Sequence, residues 1–177
     1  MRFFSFICLF CLLCCNSKKW HTQTQLDLSN KNLTTLPDSI LEMSDLVFLN
    51  LGNNFTWYAP LSSLPDQKVK TANKIKSLPN GISRLTHLKT LVVAANDLES
   101  LPGSIAEMEA LDTLDISFNY NLHLSKEITK LQKMRGLKFL NIAGISADQQ
   151  SIKYLRSKLP STKVIASIEE LLQEIPK

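Results

Sequence analysis

The chain has 177 residues, a formal net charge of +4 and 44% hydrophobic residues. This length corresponds to one domain, and the small excess of positive charge does not indicate a protein that binds nucleic acid. The four cysteines are Cys8, Cys11, Cys14 and Cys15, all near the N-terminus. We therefore expect neither a disulfide framework nor a cysteine metal site in the folded part.

The N-terminal segment predicts export. Residues 3–13 form an apolar run behind Arg2, which is too short to span a bilayer and is typical of the hydrophobic region of a signal peptide. We interpret residues 1–14 as a lipoprotein-type signal peptide and residues 15–22 as a polar tether.

A short motif at the end of the apolar run predicts a lipid anchor. Its residues, Leu-Leu-Cys-Cys, end at Cys15 and resemble a bacterial lipobox. Cys15 is the better lipidation candidate, because Leu12 lies three positions before it. Acyl chains such as palmitate on Cys15 would hold the protein at the membrane of the cell envelope. Ordinary cleavage, which would give a secreted or periplasmic protein, stays open as the alternative.

A repeated pattern follows the tether. Residues 88–102 fit the pattern L-x-x-L-x-L-x-x-N-x-L-x-x-L-P, with Val93 at the third leucine position, and similar copies precede and follow them. A period between 20 and 29 residues indicates a stacked array. The L-x-L alternation predicts a short strand with one buried face in each copy. An asparagine after each strand would satisfy backbone groups of the adjacent turns, at Asn54, Asn73, Asn96 and Asn119.

These copies resemble the leucine-rich repeat family, in its 23-residue Leu-Pro class, over residues 23–145. The resemblance implies an α/β fold, a right-handed solenoid of about six coils with a parallel concave sheet. It also implies a non-catalytic module that binds a protein partner on the concave face.

Three departures from the pattern are visible. The second copy is four residues short, the coil after Asn119 is three residues longer, and the third copy begins with Lys68-Val69-Lys70 where a strand is expected. We predict that the main irregularity covers residues 57–74, where Trp57 would fill the core. A basic segment at Lys68, Lys70, Lys74 and Lys76 falls in the same part of the chain.

The C-terminal part, residues 146–177, changes to a helical period and is interpreted as a cap over the last coil. Ser146-Ala-Asp-Gln149 has the form of a capping box. A helix with its apolar face at Ile152, Leu155 and Leu159 follows. We then expect an edge strand at 163–166 and an amphipathic helix from 168 to 175.

The alternation also predicts which side chains leave the core on the concave side. The first outward column is Gln25, Phe48, Thr90, Thr113 and Phe139, and the second is Asp27, Asn50, Val92, Asp115 and Asn141. From these we take six candidate partner-binding residues: Phe48, Asn50, Val92, Asp115, Phe139 and Asn141. Exposed aromatic side chains are favoured interface anchors.

No residue pattern indicates catalysis, a cofactor or a metal. His21, His87 and His123 lie in different coils or in the tether, without a phased nucleophile or carboxylate. The sequence therefore predicts an exported interaction module and not an enzyme. The alternative is an envelope adhesin or structural element that binds glycan or anionic lipid through the basic segment.

Overall fold

The computed structural model describes residues 24–53 and 71–173. Within these ranges, six short strands form one parallel sheet in which each strand pairs with the next along the chain. The strands are β1 (Gln25–Asp27), β2 (Phe48–Asn50), β3 (Thr90–Val92), β4 (Thr113–Asp115), β5 (Phe139–Asn141) and β6 (Lys163–Ile165). This chain-order pairing gives an α/β architecture of stacked turns.

The middle residue of every strand lies on a common apolar column. These residues pair in register in the order Leu26, Leu49, Leu91, Leu114, Leu140 and Val164. Leu49, Leu91 and Leu114 are fully buried. A single turn cannot cover its own apolar edge, so the stacking of neighbours is what removes these side chains from water. The predicted shared spine is confirmed.

Prolines position the helical segments on the far side of three coils. The 3₁₀ helices Asp38–Glu42, Asn80–Arg84 and Gly103–Glu107 each follow a proline in extended conformation. Proline tolerates this place because its missing N–H is not needed at a helix start. In the longer fourth coil, serine follows Leu124 where proline stands in the other coils, and α1 (Leu124–Leu131) replaces the 3₁₀ helix.

Buried asparagines join consecutive coils. The Asn119 side chain is 0% exposed; its Oδ1 accepts from Leu98 N at 3.0 Å and its Nδ2 donates to Val93 O at 3.0 Å. Asn96 accepts from Ile75 N at 3.0 Å and donates to Leu51 O at 3.0 Å. The predicted role of these two asparagines is confirmed.

Asn73 occupies the same position for the first two coils. Its Nδ2 donates to Leu28 O and Leu51 O at 2.8 Å, and its Oδ1 accepts from Lys31 N and Leu33 N at 2.9 Å. Asn73 therefore completes the coil that contains β2. Asn54, to which the sequence assigned this role, lies outside the described residues.

Strand β2 pairs directly with β3, so no further strand lies between them. Residues 68–70, where the sequence predicts a strand, lie outside the described residues. Leu49 and Leu91 are 42 residues apart, and omitting the 19 residues 54–72 restores the 23-residue period. The second copy is thus a regular coil interrupted after Asn53. Asn53 marks the interruption, since its side chain accepts from Asn73 N at 2.7 Å and donates to Asn73 O at 2.9 Å.

The C-terminal elements cover the last coil. Helix α2 (Gln149–Lys158) buries Ile152 and Leu155, and Leu159 follows it in the core, as predicted. The helix starts after Asp148, whose carboxylate accepts from Ser151 N at 2.8 Å. The predicted start at Ser146 is wrong, because Ser146 is held in an extended bridge with His123.

Strand β6 confirms the predicted edge strand and supplies the sixth strand of the sheet. Helix α3 (Ile168–Gln173) follows and has no buried residue. Arg156 Nη2 on α2 donates to both carboxylate oxygens of Glu170 on α3, at 2.8 and 2.9 Å. The same nitrogen also donates to Val164 O at 2.9 Å. These contacts tie the final helix to the sheet. Across the described ranges, no helix has the length and apolar character needed to cross a membrane.

Candidate binding face of the sheet

The two outward columns follow the predicted register throughout. Phe48 pairs with Thr90 and Thr113 with Phe139, while Asn50 pairs with Val92 and Asp115 with Asn141. Strand β6 extends the two columns by Lys163 and Ile165. We call the surface formed by both columns the sheet face. Because period-2 alternation turns the middle leucines inward, the residues on either side of them form this face.

The first column combines aromatic and small polar side chains. Its four central side chains are all partly exposed: Phe48, Thr90, Thr113 and Phe139. The strand pairing places one phenylalanine at each end of a pair of threonines. The sequence predicted exposed phenylalanines, and the structure shows that each is in fact half-buried. A rigid aromatic ring already held by its neighbours loses little conformational freedom on binding.

The second column has a structural task that the sequence reading missed. Each of four polar side chains accepts a hydrogen bond from the backbone N–H two residues later, at 2.8 to 3.1 Å. The four are Asp27, Asn50, Asp115 and Asn141. This is an Asx turn, which lets the chain leave the strand and begin the bend. The signal was present as Asp or Asn at the third strand position in four of five repeats.

Asp115 and Asn141 are further connected to each other. Asn141 Nδ2 donates to Asp115 Oδ2 at 3.1 Å, and Ser117 Oγ donates to Asp115 Oδ1 at 2.6 Å. Asn141 is only 2% exposed, whereas Asp115 is half-buried. The contribution that Asn141 can make to a contact is therefore to orient the Asp115 carboxylate.

Asp27 is the carboxylate of this column on the first strand. The backbone N–H of Ser29 donates to it and holds its pKa below the ordinary value. Hydrogen bonding to the charged form favours that form, so Asp27 is ionised at neutral pH. Together with Asp115, it places negative charge where the strands end.

The basic segment is only partly described, since Lys68 and Lys70 lie outside the described residues. Lys76 forms an ion pair with Glu99 at 3.4 Å, and both side chains are largely exposed. Trp57 and the lipidation candidate Cys15 also lie outside the described residues. His87 Nδ1 lies 2.9 Å from Ser44 O, and His123 is exposed. Among the residues described, no group of three or more metal-ligating side chains comes together.

The fold is that of leucine-rich repeat proteins. The crystal structure of an internalin from Listeria monocytogenes superimposes with a TM-score of 0.55 at 17% identity, covering 77% of this chain and 33% of the internalin chain. This chain thus spans about a third of that protein's length. In all, 92 solved chains match, so the fold is common and selects no single function. No protein-family model and no curated protein matches the sequence.

Proposed function

We propose that the protein is a non-catalytic interaction module that binds a protein partner on the sheet face. In this account the chain forms a right-handed solenoid, and the sheet face is its concave side. The observation that carries the proposal is the uninterrupted register of six strands, which aligns Phe48, Thr90, Thr113 and Phe139 in one column. Their neighbours Asn50 and Asp115, with Asp115 oriented by Asn141, would provide the polar rim, and Val92 would add an apolar contact.

Affinity capture with a double variant tests this proposal. Phe48→Ser with Phe139→Ser removes both aromatic side chains from the face, and we expect the recovery of the specific partner to fall at least tenfold, as for interface hot spots. The matched control is Tyr120→Ser with Leu172→Ser, which removes two exposed apolar side chains, 71% and 52% exposed, outside the two columns. Because the phenylalanines are half-buried, urea midpoints must show that both variants are folded. Equal recovery of every partner by both variants would overturn the proposal.

We further propose that the protein is exported and anchored in the bacterial cell envelope through lipid on Cys15. The lipobox-like motif and the short apolar run support this, and the internalin similarity is compatible with a bacterial setting. Labelling of cells with an alkynyl fatty acid would give a labelled wild type and an unlabelled Cys15→Ser variant. Cys14→Ser is the control and should retain the label. Absence of label on the wild type would overturn the lipid anchor and favour the alternative, a secreted or periplasmic protein.

The second candidate function is an adhesin or structural element that binds glycan or anionic lipid through the basic segment. The run of lysines around Lys74 and Lys76 favours it. Salt separates the two functions, because contacts between exposed charges are largely screened at high ionic strength. Partner recovery that survives 0.5 M salt supports the aromatic sheet face, and steep loss supports the lysines.

A further inference from the structure

A groove with three cationic side chains lies outside the sheet face, between the fourth coil and the cap. One part has a volume of about 490 Å³ and is lined by Gln132, Lys133, Arg135, Tyr154 and Lys158. The adjoining part, of about 410 Å³, shares Arg135 and Lys158 and continues along residues 157–162. Both volumes fall in the range of small-molecule sites. None of the lining residues belongs to the basic segment.

The walls of the groove are joined by hydrogen bonds. Tyr154 OH on α2 donates to Gln132 Oε1, just after α1, at 3.3 Å. At the other end, Thr162 Oγ1 donates to Leu137 O at 2.7 Å. These two bonds connect the cap to the turn that precedes β5. The groove is therefore formed before any ligand arrives, which lowers the ordering cost of binding.

The charges along the groove are unbalanced. Among the described residues, the four ion pairs involve Lys76, Lys130, Lys138 and Arg156, and none involves a cation of the groove. No carboxylate lines either of the two parts. Glu109 lines a separate, smaller recess of about 180 Å³, to which Lys133 and Arg135 also contribute.

Helix ends explain only part of this arrangement. Lys158 is the last residue of α2 and Lys133 follows α1 by two residues, so both complement the negative end of a helix dipole. Arg135 lies in a turn and has no such role. A guanidinium offers a planar pair of donors that matches the oxygens of a phosphate.

One aromatic ring completes the site. Tyr154 is 44% exposed, and Lys158 Nζ lies 5.2 Å from the centre of its ring. This cation–π contact holds the lysine over one side of the tyrosine. A ligand with a compact polar body and an anionic group would meet the ring and the cations together.

We propose that this groove binds a small organic phosphate of the size of a sugar phosphate, with Arg135 and Lys158 holding the phosphate and Tyr154 contacting the body of the ligand. The proposal goes beyond the proposed function, because it assigns a second site on a different surface. Lys133 would add charge from the rim.

Titration with glucose 1-phosphate tests the site on the full chain in a non-ionic detergent. Isothermal titration calorimetry would give the affinity. Glucose and inorganic phosphate each represent one part of the ligand, and phosphatidylglycerol vesicles test whether a lipid phosphate binds instead. We expect glucose 1-phosphate to bind and Arg135→Ala to weaken it about tenfold, as for a lost charge-assisted bond. Arg84→Ala, an exposed arginine outside the groove, is the matched control and should leave the affinity unchanged.

Each outcome decides the proposal. Selective loss in Arg135→Ala and Lys158→Ala, with weaker binding of inorganic phosphate alone, supports it. It is overturned if glucose 1-phosphate does not bind, if Arg84→Ala weakens binding equally, or if only the vesicles bind. Far-UV circular dichroism of each variant would confirm that the exposed substitutions leave the fold intact.

Discussion

Replacing Asn119 with alanine tests how strongly the buried asparagines hold neighbouring coils together. The Asn119 side chain is fully buried and accepts from Leu98 N, which belongs to the preceding coil. Its amide nitrogen donates to Val93 O at 3.0 Å and Ile116 O at 2.9 Å. Alanine would leave these backbone groups without their hydrogen-bond partner at a position that is buried from water.

The expected cost follows from those three bonds. An unsatisfied buried group costs about 1–3 kcal/mol, and the Leu98 N–H contributes this in full. The two carbonyl groups cost less, because a carbonyl oxygen that lacks a hydrogen bond is better tolerated in a protein interior than an unpaired N–H. We expect a loss of about 3–4 kcal/mol in the free energy of unfolding. That is a large part of the roughly 5–15 kcal/mol available to a domain of this kind.

Urea unfolding followed by far-UV circular dichroism measures the loss. Asn80→Ala is the matched control, since Asn80 is exposed and the same atoms are removed. A surface change of this kind should stay within about 0.5 kcal/mol. A cost below about 1 kcal/mol for Asn119→Ala, or equal costs for both variants, would refute the reasoning.

Two further predictions concern the interrupted coil and the cap. Deleting residues 54–72, so that Asn53 joins Asn73, should leave the circular dichroism spectrum unchanged and the free energy of unfolding within about 1 kcal/mol of the wild type. The deletion restores the 23-residue period and shortens the stretch of chain whose ends must be brought together. Loss of the fold would contradict this prediction. Glu170→Gln should destabilise the protein more at pH 7 than at pH 3. Hydrogen bonds from Ala166 and Arg156 lower the pKa of Glu170, so its stabilisation is present above the ordinary value of 4.5 and is lost as the pH falls through the folded pKa. Urea midpoints of the wild type and the variant at both pH values check this. A difference between the two midpoints that does not change with pH would count against it.

The sequence predicted the features that repeat. Because the alternation has period 2, placing Leu91 and Leu114 in the core also placed Thr90 and Thr113 on the sheet face, and the structure has that register. The apolar spacing likewise located the buried side of α2. These features are encoded locally and several times over.

The interrupted coil was misread for a physical reason. Both Asn54 and Asn73 can be aligned with the asparagine position of the repeat, and nothing local decides which asparagine completes the coil. The choice is made by bonds to Leu28 and Leu51, which are distant in sequence. An extra copy was therefore assigned to a segment that does not supply a strand between β2 and β3.

The candidate sites differ in the same way. The Asx turns could have been found, since Asp and Asn recur at one strand position. The cationic groove could not, because Arg135 and Lys158 come together only when the cap packs on the fourth coil. Sequence reasoning also listed Asn141 as a surface residue, although its bonds to Asp115 and Ala143 hold it inside.

Site-specific photo-crosslinking in the native host tests the central claim that the sheet face binds a protein. A benzophenone side chain in place of Thr113, in the middle of the first column, is compared with the same group in place of Tyr120, which is 71% exposed and outside the two columns. Our account predicts one specific protein adduct at position 113 and none at 120. Adducts at 120 alone, or the same adducts at both positions, would contradict it.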